Sequence, residues 1–555
     1  MVRENGKYLM KRTIRPISIL LLMLAVHQPG HAATARTILV FPFTNQSSRA
    51  DLAWISEGFA EILSTRLAAP DRYVLGRDER NAAYAQLELP PGKSLTMASD
   101  YKVAEILGVD WAVLGSFVVE GSRLTARASL LEARGLKLSP PIEASGELSD
   151  LVDLQTQIAW RLLAAHDPDF VVGREEDFRR RLPEVRLDAF ENYVRGILAT
   201  DDESRVRFLA EADRRNPQDH RAAFQLGRFY FDRKDYAKSG TWLRKLNDGD
   251  PNYLESLFLL GVSEFFLGRE EASEKVFAAL ARQIPLNEVS NNLGVMEARR
   301  HDFSDAFTQF DRAYQSDPSD PDFSFNMGVC LWYLKRYNEA DKSLKEALSI
   351  DDDDIGAHTL LALVSGKLGD QDRKRVEQKW ITDHEGVSAS RVTEEDILPQ
   401  TRIKKHYDGH AFRLMALAVQ NAVEMNLAGK PPAEHAQYHI AQGRRLLASG
   451  RPAEAEREMA EAVSLVPDDN EAHMNLAQVL EAEGKHAEAA RELETSLKLK
   501  DSVGAHILLA RIYLTLNRAD AARTHGEAAL KLDPGNHEAA QLVQQIHERA
   551  AGARR

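Results

Sequence analysis

Between about residue 190 and residue 370, apolar positions fall three and four apart in runs of roughly a dozen, broken by short polar stretches that often hold proline. That pattern predicts a succession of short amphipathic helices. The runs are self-similar. Gly227, Gly261, Gly294, Gly328 and Ala362 stand 34, 33, 34 and 34 residues apart, and Leu226, Leu260, Leu293 and Met327 each precede the small residue. Pro217, Pro251, Pro285 and Pro318 recur in step, and proline cannot continue a helix, so each marks a turn. A second series has Gly443, Ala477 and Ala510, each followed twelve residues later by Ala455, Ala489 and Ala522. A fixed period of this length implies stacked two-helix units, with small residues where helices approach and Phe277, Phe310 and Leu344 filling the space between units.

These positions resemble the tetratricopeptide-repeat signature. The resemblance implies two α-solenoid arrays, at 187–370 and 436–550, with His537 to Arg549 capping the second. Residues 371–435 break the period and read as an irregular joint: Val387 to Ser390 and Pro399 look like loop, Phe412 to Met425 like a helix, and Gly429 to Pro432 like a turn.

The first part of the chain has another texture. A β-rich run, Thr37 to Phe43, is followed by an amphipathic helix carrying Leu52, Ile55, Phe59, Ile62, Leu63 and Leu67. Tyr73 to Leu75 reads as a strand and Ala98 to Leu107 as a helix. Trp111 to Val119 and Arg123 to Leu131 flank Glu120-Gly121-Ser122 as a hairpin, and a strand near Ile142 to Gly146 precedes a helix from Leu151 to Ala164. The expected fold class is therefore mostly α, a small α/β domain over 36–166 followed by two solenoid arrays. The Phe-Pro-Phe strand end, the run Gly108 to Ser116 and the closing Leu-Gln-Thr-Gln-Ile-Ala helix resemble the TolB-like (FlgO-like) N-terminal domain of bacterial envelope and signalling proteins. The resemblance spans roughly 37–165, is weaker from Asn81 to Thr96, and implies a non-catalytic interaction module.

Residues 1–33 read as a secretory signal peptide. Lys7, Lys11, Arg12 and Arg15 precede the apolar stretch Ile17 to Val26, and Gly30 and Ala32 supply small residues before a cut. This predicts export, to the periplasm, with no transmembrane helix in the mature chain; an uncleaved anchor holding the protein at the inner membrane is the alternative. A single cysteine, Cys330, allows no internal disulfide, so stability must come from packing. A net charge of −13 argues against nucleic acid as a partner, and the basic runs Arg373 to Arg375 and Arg402 to Lys405 read as solvated faces.

Chemistry is sparse. Gly92-Lys93-Ser94 mimics the end of a phosphate-binding loop, but Leu87 stands where the loop needs a glycine, and Pro90 and Pro91 remove amide donors. His406 and His410, and His435 and His439, stand four apart, as metal ligands on one helix face would, without a third ligand at a recognisable spacing. No catalytic residue, cofactor or metal is predicted, and the chain is read as non-enzymatic. What it offers is a surface. Positions three before, one after and four after each small residue share a helical face and should line a concave groove. In the first array these are Phe224, Arg228, Phe231; Phe258, Val262, Phe265; Asn291, Val295, Ala298; and Phe325, Val329, Trp332. The second array is more mixed, with Ile440, Arg444, Leu447, Met474, Gln478, Glu481, Ile507, Arg511 and Leu514. The basic-and-asparagine clamp with which some repeat proteins grip a C-terminal carboxylate is missing from these positions.

The expected function is an exported scaffold or adaptor that binds partner proteins of the cell envelope through its grooves and its N-terminal domain. Two other readings compete: a repeat protein taking a glycan or lipid on its aromatic groove, and an enzyme with a site in the joint. Ring-to-sugar stacking would need exposed aromatic faces. The sequence names no partner and fixes no oligomeric state.

Overall fold

A computed structural model describes residues 36–552, apart from residues 70, 91–94, 168–169, 171–173, 181, 386–395 and 429. The signal-peptide segment and Gly92-Lys93-Ser94 lie outside the described residues.

The N-terminal sheet is built from β1 (Arg36–Val40), β2 (Thr44–Asn45), β3 (Arg72–Leu75), β4 (Trp111–Glu120), β5 (Arg123–Glu132), β6 (Lys137–Leu138) and β7 (Ile142–Glu147). Its order is β3-β1-β4-β5-β6, with β2 against β4 and β7 against β5. β1 runs parallel to β3 and β4, pairing Ile38 with Val74 and Trp111, and β4 and β5 are antiparallel. Gly121 turns the β4–β5 hairpin at φ 64°, a left-handed conformation glycine adopts freely. Helices α1 (Trp54–Leu67) and α4 (Leu151–His166) cover one sheet face. Helices α2 (Arg77–Gln86) and α3 (Met97–Ile106) cover the other. The Phe43 and Phe59 rings stack at 4.2 Å in the first layer. A Cβ on Gly115 would fall 2.3 Å from the Phe43 ring, so this strand position must stay bare.

After the short helix α5 (Glu175–Arg180), helices come in antiparallel pairs. In order, they are α6 (Leu187–Leu198) with α7 (Asp202–Arg215), α8 (Arg221–Asp232) with α9 (Tyr236–Leu243), and α10 (Tyr253–Phe266) with α11 (Glu270–Ala281). Next are α12 (Asn287–Arg299) with α13 (Phe303–Ser316), α14 (Pro321–Tyr333) with α15 (Tyr337–Ile350), and α16 (Ile355–Leu368) with α17 (Gln371–Glu385). The pairing thus runs past residue 370, where the sequence period fades. The small residues do what the period implies. A Cβ on Gly261, Gly294 or Gly328 would meet Phe277, Phe310 or Leu344 at 2.8, 2.9 and 2.7 Å. One core is continuous from the sheet into the array, because Phe190, Tyr193 and Val194 of α6 pack in the cluster that holds α1 and α4.

Helix α18 (Gly409–Ala428) leads to the second array. This array consists of α19 (Pro432–Ala448) with α20 (Pro452–Leu465), α21 (Asn470–Ala482) with α22 (His486–Leu499), α23 (Val503–Thr515) with α24 (Ala519–Leu532), and a final α25 (His537–Gly552). Its own core runs from Ala436 to Ile546. Where the arrays meet, Asp248, after α9, faces Arg445 and Arg451. Among the described residues no helix is long and apolar enough to cross a membrane.

Candidate functional site: a groove holding an extended segment

Across the first helices of successive pairs in the first array runs a strap, residues 396–408. It opens with a 3-10 turn at Leu398–Gln400 and continues without helix or strand from Thr401 to Asp408. The strap crosses the units in reverse. Ile397 packs on α14 and α16, Arg402 meets α14, Lys404 meets α12, and Tyr407 meets α10.

Three asparagines hold the strap by its main chain. Asn326 Oδ1 accepts the Arg402 amide at 2.8 Å, and its Nδ2 donates to the Arg402 carbonyl at 2.9 Å. Asn292 repeats this one unit earlier, accepting the Lys404 amide at 2.7 Å and donating to the Lys404 carbonyl at 2.8 Å. Asn291 donates to the Arg402 carbonyl at 2.9 Å, and its own oxygen accepts from Asn326 at 2.8 Å. All three carboxamides are fully buried. A carboxamide carries one donor pair and one acceptor, so it satisfies both polar groups of a single residue in an extended chain. Buried without such a partner it would be costly.

The strap's side chains are read as well. Arg402 and Lys404, two apart, point the same way, as alternate residues of an extended chain do. The Arg402 guanidinium lies over Phe325 at 3.6 Å and pairs with Asp354 at 2.6 Å and Asp322 at 3.2 Å. Lys404 pairs with Asp320 at 2.5 Å and Asp322 at 2.6 Å. Burial works against the Lys404 charge, yet its bonds to Asp320 and Asp322 outweigh that and raise its pKa. Tyr407 packs its ring 4.9 Å from Phe258 and donates its hydroxyl to Glu255 at 2.6 Å. Burial, then the Glu255 charge, drive its phenol well above the ordinary range.

The strap ends in an anchor. Phe412 is buried in the first array's core, while Leu414 and Leu417, further along α18, pack on the α2–α3 face of the sheet. Arg413 bridges the two bodies, pairing with Glu79 of α2 and with Glu255 of α10. Beside it lies a cleft of about 380 Å³, lined by Asp78, Glu79, Arg228, Glu255, His406 and Arg413 among others.

Several sequence readings change here. Arg402 and Lys404 are not a solvated face; each sits in the groove between carboxylates and a ring. An asparagine clamp of another kind, without basic residues, holds the strap. It lies two and three residues before the small residue and grips the middle of a chain rather than a terminal carboxylate. Of the positions expected to line the groove, Phe224, Phe231, Phe258, Val262, Phe325 and Trp332 are buried. Phe265 is half-buried under the Arg299 guanidinium at 4.9 Å, and Arg228 pairs with Asp78 of α2 at 2.7 Å. Those buried rings leave no face on which a sugar could stack. His406 lies in the strap while His410 is on α18, so they do not share a helix face. His435 and His439 do share α19, and His439 is bonded to Glu458 at 2.8 Å. Among the described residues no three His, Cys, Asp or Glu side chains gather as a metal-holding group.

Comparison with known proteins agrees with the periodic contacts. Two family models, each described as a tetratricopeptide repeat, match residues 203–253 and 440–502, and 298–364 and 480–546. The chain carries tetratricopeptide repeats. Among solved structures, MamA is similar in part. One crystal structure of MamA has 18% identity and a TM-score of 0.28, over 29% of this chain and 95% of that one. A double mutant, MamA RS-1 ArsTM, has 14% identity and a TM-score of 0.28, over 30% and 93%. No curated protein matches.

The tetratricopeptide repeats of the second array present a different surface. Ile440 and Ile507 are buried, whereas Gln478 and Arg511 are exposed. Arg444 reaches Asn475 at 3.1 Å and Glu471 at 2.8 Å, and Arg511 pairs with Glu538. Asn475 occupies the register of Asn292 and Asn326, two before the small residue.

Proposed function

We infer that this protein is a non-enzymatic scaffold that binds other proteins as extended segments on the concave faces of its tetratricopeptide repeats. The observation that carries this reading is the asparagine clamp: side chains of the repeats pair with both main-chain groups of Arg402 and of Lys404, a mode suited to any extended chain. The first groove holds the strap. The second array is therefore proposed as the standing docking face, with Arg444, Gln478 and Arg511 as its polar contacts.

The N-terminal α/β domain is proposed as a TolB-like interaction module, and the basic-then-apolar leader supports export to the periplasm and partners in the cell envelope. Affinity capture from envelope extract tests the scaffold. Arg444→Glu with Arg511→Glu should lose proteins that the unaltered chain recovers, at unchanged helicity; recovery of the same set would refute the second groove. Export is checked by sequencing the N-terminus of the protein from the periplasmic fraction. A start within a few residues of Ala33 is expected, and an intact Met1 would count against cleavage.

A further inference from the structure

We propose that residues 396–408 are a resident ligand of the first groove. They reserve it for an extended segment of another protein bearing an arginine and a lysine two residues apart, which enters when the strap leaves. This rests on reading the grooves as protein-binding surfaces and adds what the first groove selects and what controls it.

Three features fit a ligand better than a simple linker. The groove satisfies the strap's main chain with side chains rather than with a sheet or helix, so the same hydrogen bonds are available to any extended chain in that register. Specificity comes from separate elements: Asp320 and Asp322 at the start of α14 and Asp354 at the start of α16 receive the two cations. The Phe325 face adds a preference for guanidinium at the first position. An arginine can bond two carboxylates at once and lie flat on a ring, which an ammonium does less well. The partner is thus defined by charge and spacing: Arg, an apolar residue, then Lys, as in Arg402-Ile403-Lys404. A tethered segment competes at the high local concentration its linkage imposes, so the strap holds the groove against weak or mismatched chains.

The test uses the full-length protein and a fluorescent peptide of the strap sequence, Asp396 to Asp408. In the chain carrying Arg402→Ala with Lys404→Ala, the strap loses its cations but the groove is untouched. Peptide anisotropy should then show binding at least about tenfold tighter than to the unaltered protein, as loss of the tethered competitor implies. Adding Asn292→Ala and Asn326→Ala should abolish that binding, and a peptide with alanine at both basic positions should fail on every chain. Equal, weak binding to the strap-weakened and unaltered chains, at equal helicity, would overturn the proposal. A second measurement needs no variant. Hydrogen exchange of the Arg402 and Lys404 amides should proceed through an opening that leaves α12 and α14 protected. Exchange of strap and helices only together would show a structural belt and sink the idea. Partner capture through Arg444 and Arg511 of the second array is independent of both results, so it tells failure of this inference from failure of the scaffold reading.

Discussion

Asn326 shows how much a single side chain holds here. Its carboxamide bonds two main-chain groups of Arg402 in a site closed to water. Truncation therefore strands the Arg402 amide and the Asn291 oxygen, while the Arg402 carbonyl keeps its bond from Asn291. Asn326→Ala should cost about 1–3 kcal/mol in urea unfolding, and Asn292→Ala a similar amount, with strap amides losing protection first. The histidines of the repeats give a second test. Four of them stand four residues before the small residue and face a side chain nineteen positions on: His358 with Glu377, His439 with Glu458, His473 with Glu492 and His506 with His525. The bond to Glu492 raises the pKa of His473. Its stabilising contribution is complete below the unfolded value of about 6.5 and fades as pH rises through the folded value. Burial, then the neighbouring His506, lower that of His525. Its contribution is present above about 6.5 and fades as pH falls. Melting at pH 7.5 and pH 5.5 should separate them: His473→Gln loses most relative to the unaltered chain at the lower pH, and His525→Gln gains there. The asparagine clamp was within reach of the sequence, since Asn292, Asn326 and Asn475 share one register. Asn291, three before Gly294, is among the positions expected to line the groove and does bind the strap. Asn292 and Asn326 stand one position outside that expected face, most of whose members are the apolar residues that fill it.

Pairs of helices were legible because their contacts are local. A small residue on the first helix and a large one about sixteen positions later must meet, and that requirement writes a period into the chain. Phe310 is fully buried against Gly294, so Phe310→Ala should cost about 3–5 kcal/mol by chemical denaturation. The turn inside each unit carries a subtler signal. Lys234, Gly268, His301, Lys335, Gly369, Gly450, Gly484 and Asn517 all take positive φ, seven residues after the small residue. At Gly268 an added Cβ would meet nothing within 4 Å, so Gly268→Ala isolates the backbone cost, about 1–2 kcal/mol in the same assay. Helix α2 left little apolar signal. It is mostly polar, and Arg80 and Glu79 are buried by pairing with Glu57 and Arg413 from other elements. The strap was the least legible element. Such a segment has no helical period, and the residues that bind it lie 48 to 152 positions away in the chain.

At the scale of the molecule, the sheet domain, the first array and α18 share cores and ion pairs, while the second array meets the first through charged side chains around Asp248. Asp248→Lys should therefore open the angle between the arrays, seen as a larger radius of gyration by small-angle scattering at unchanged helicity. An equal radius would assign the angle to α18 instead.

Cys330 gives all of this a clock. It is the chain's single thiol, it sits on α14 in the same buried cluster as Phe412, and burial pushes its pKa far up. A thiol reagent in native buffer therefore has nothing to attack until the first array opens. The rate at which a coloured disulfide reagent is consumed then counts openings of that core directly, one sulfur per molecule and without any engineered label. A rate that follows the urea dependence of global unfolding would mean that this core opens only as a whole.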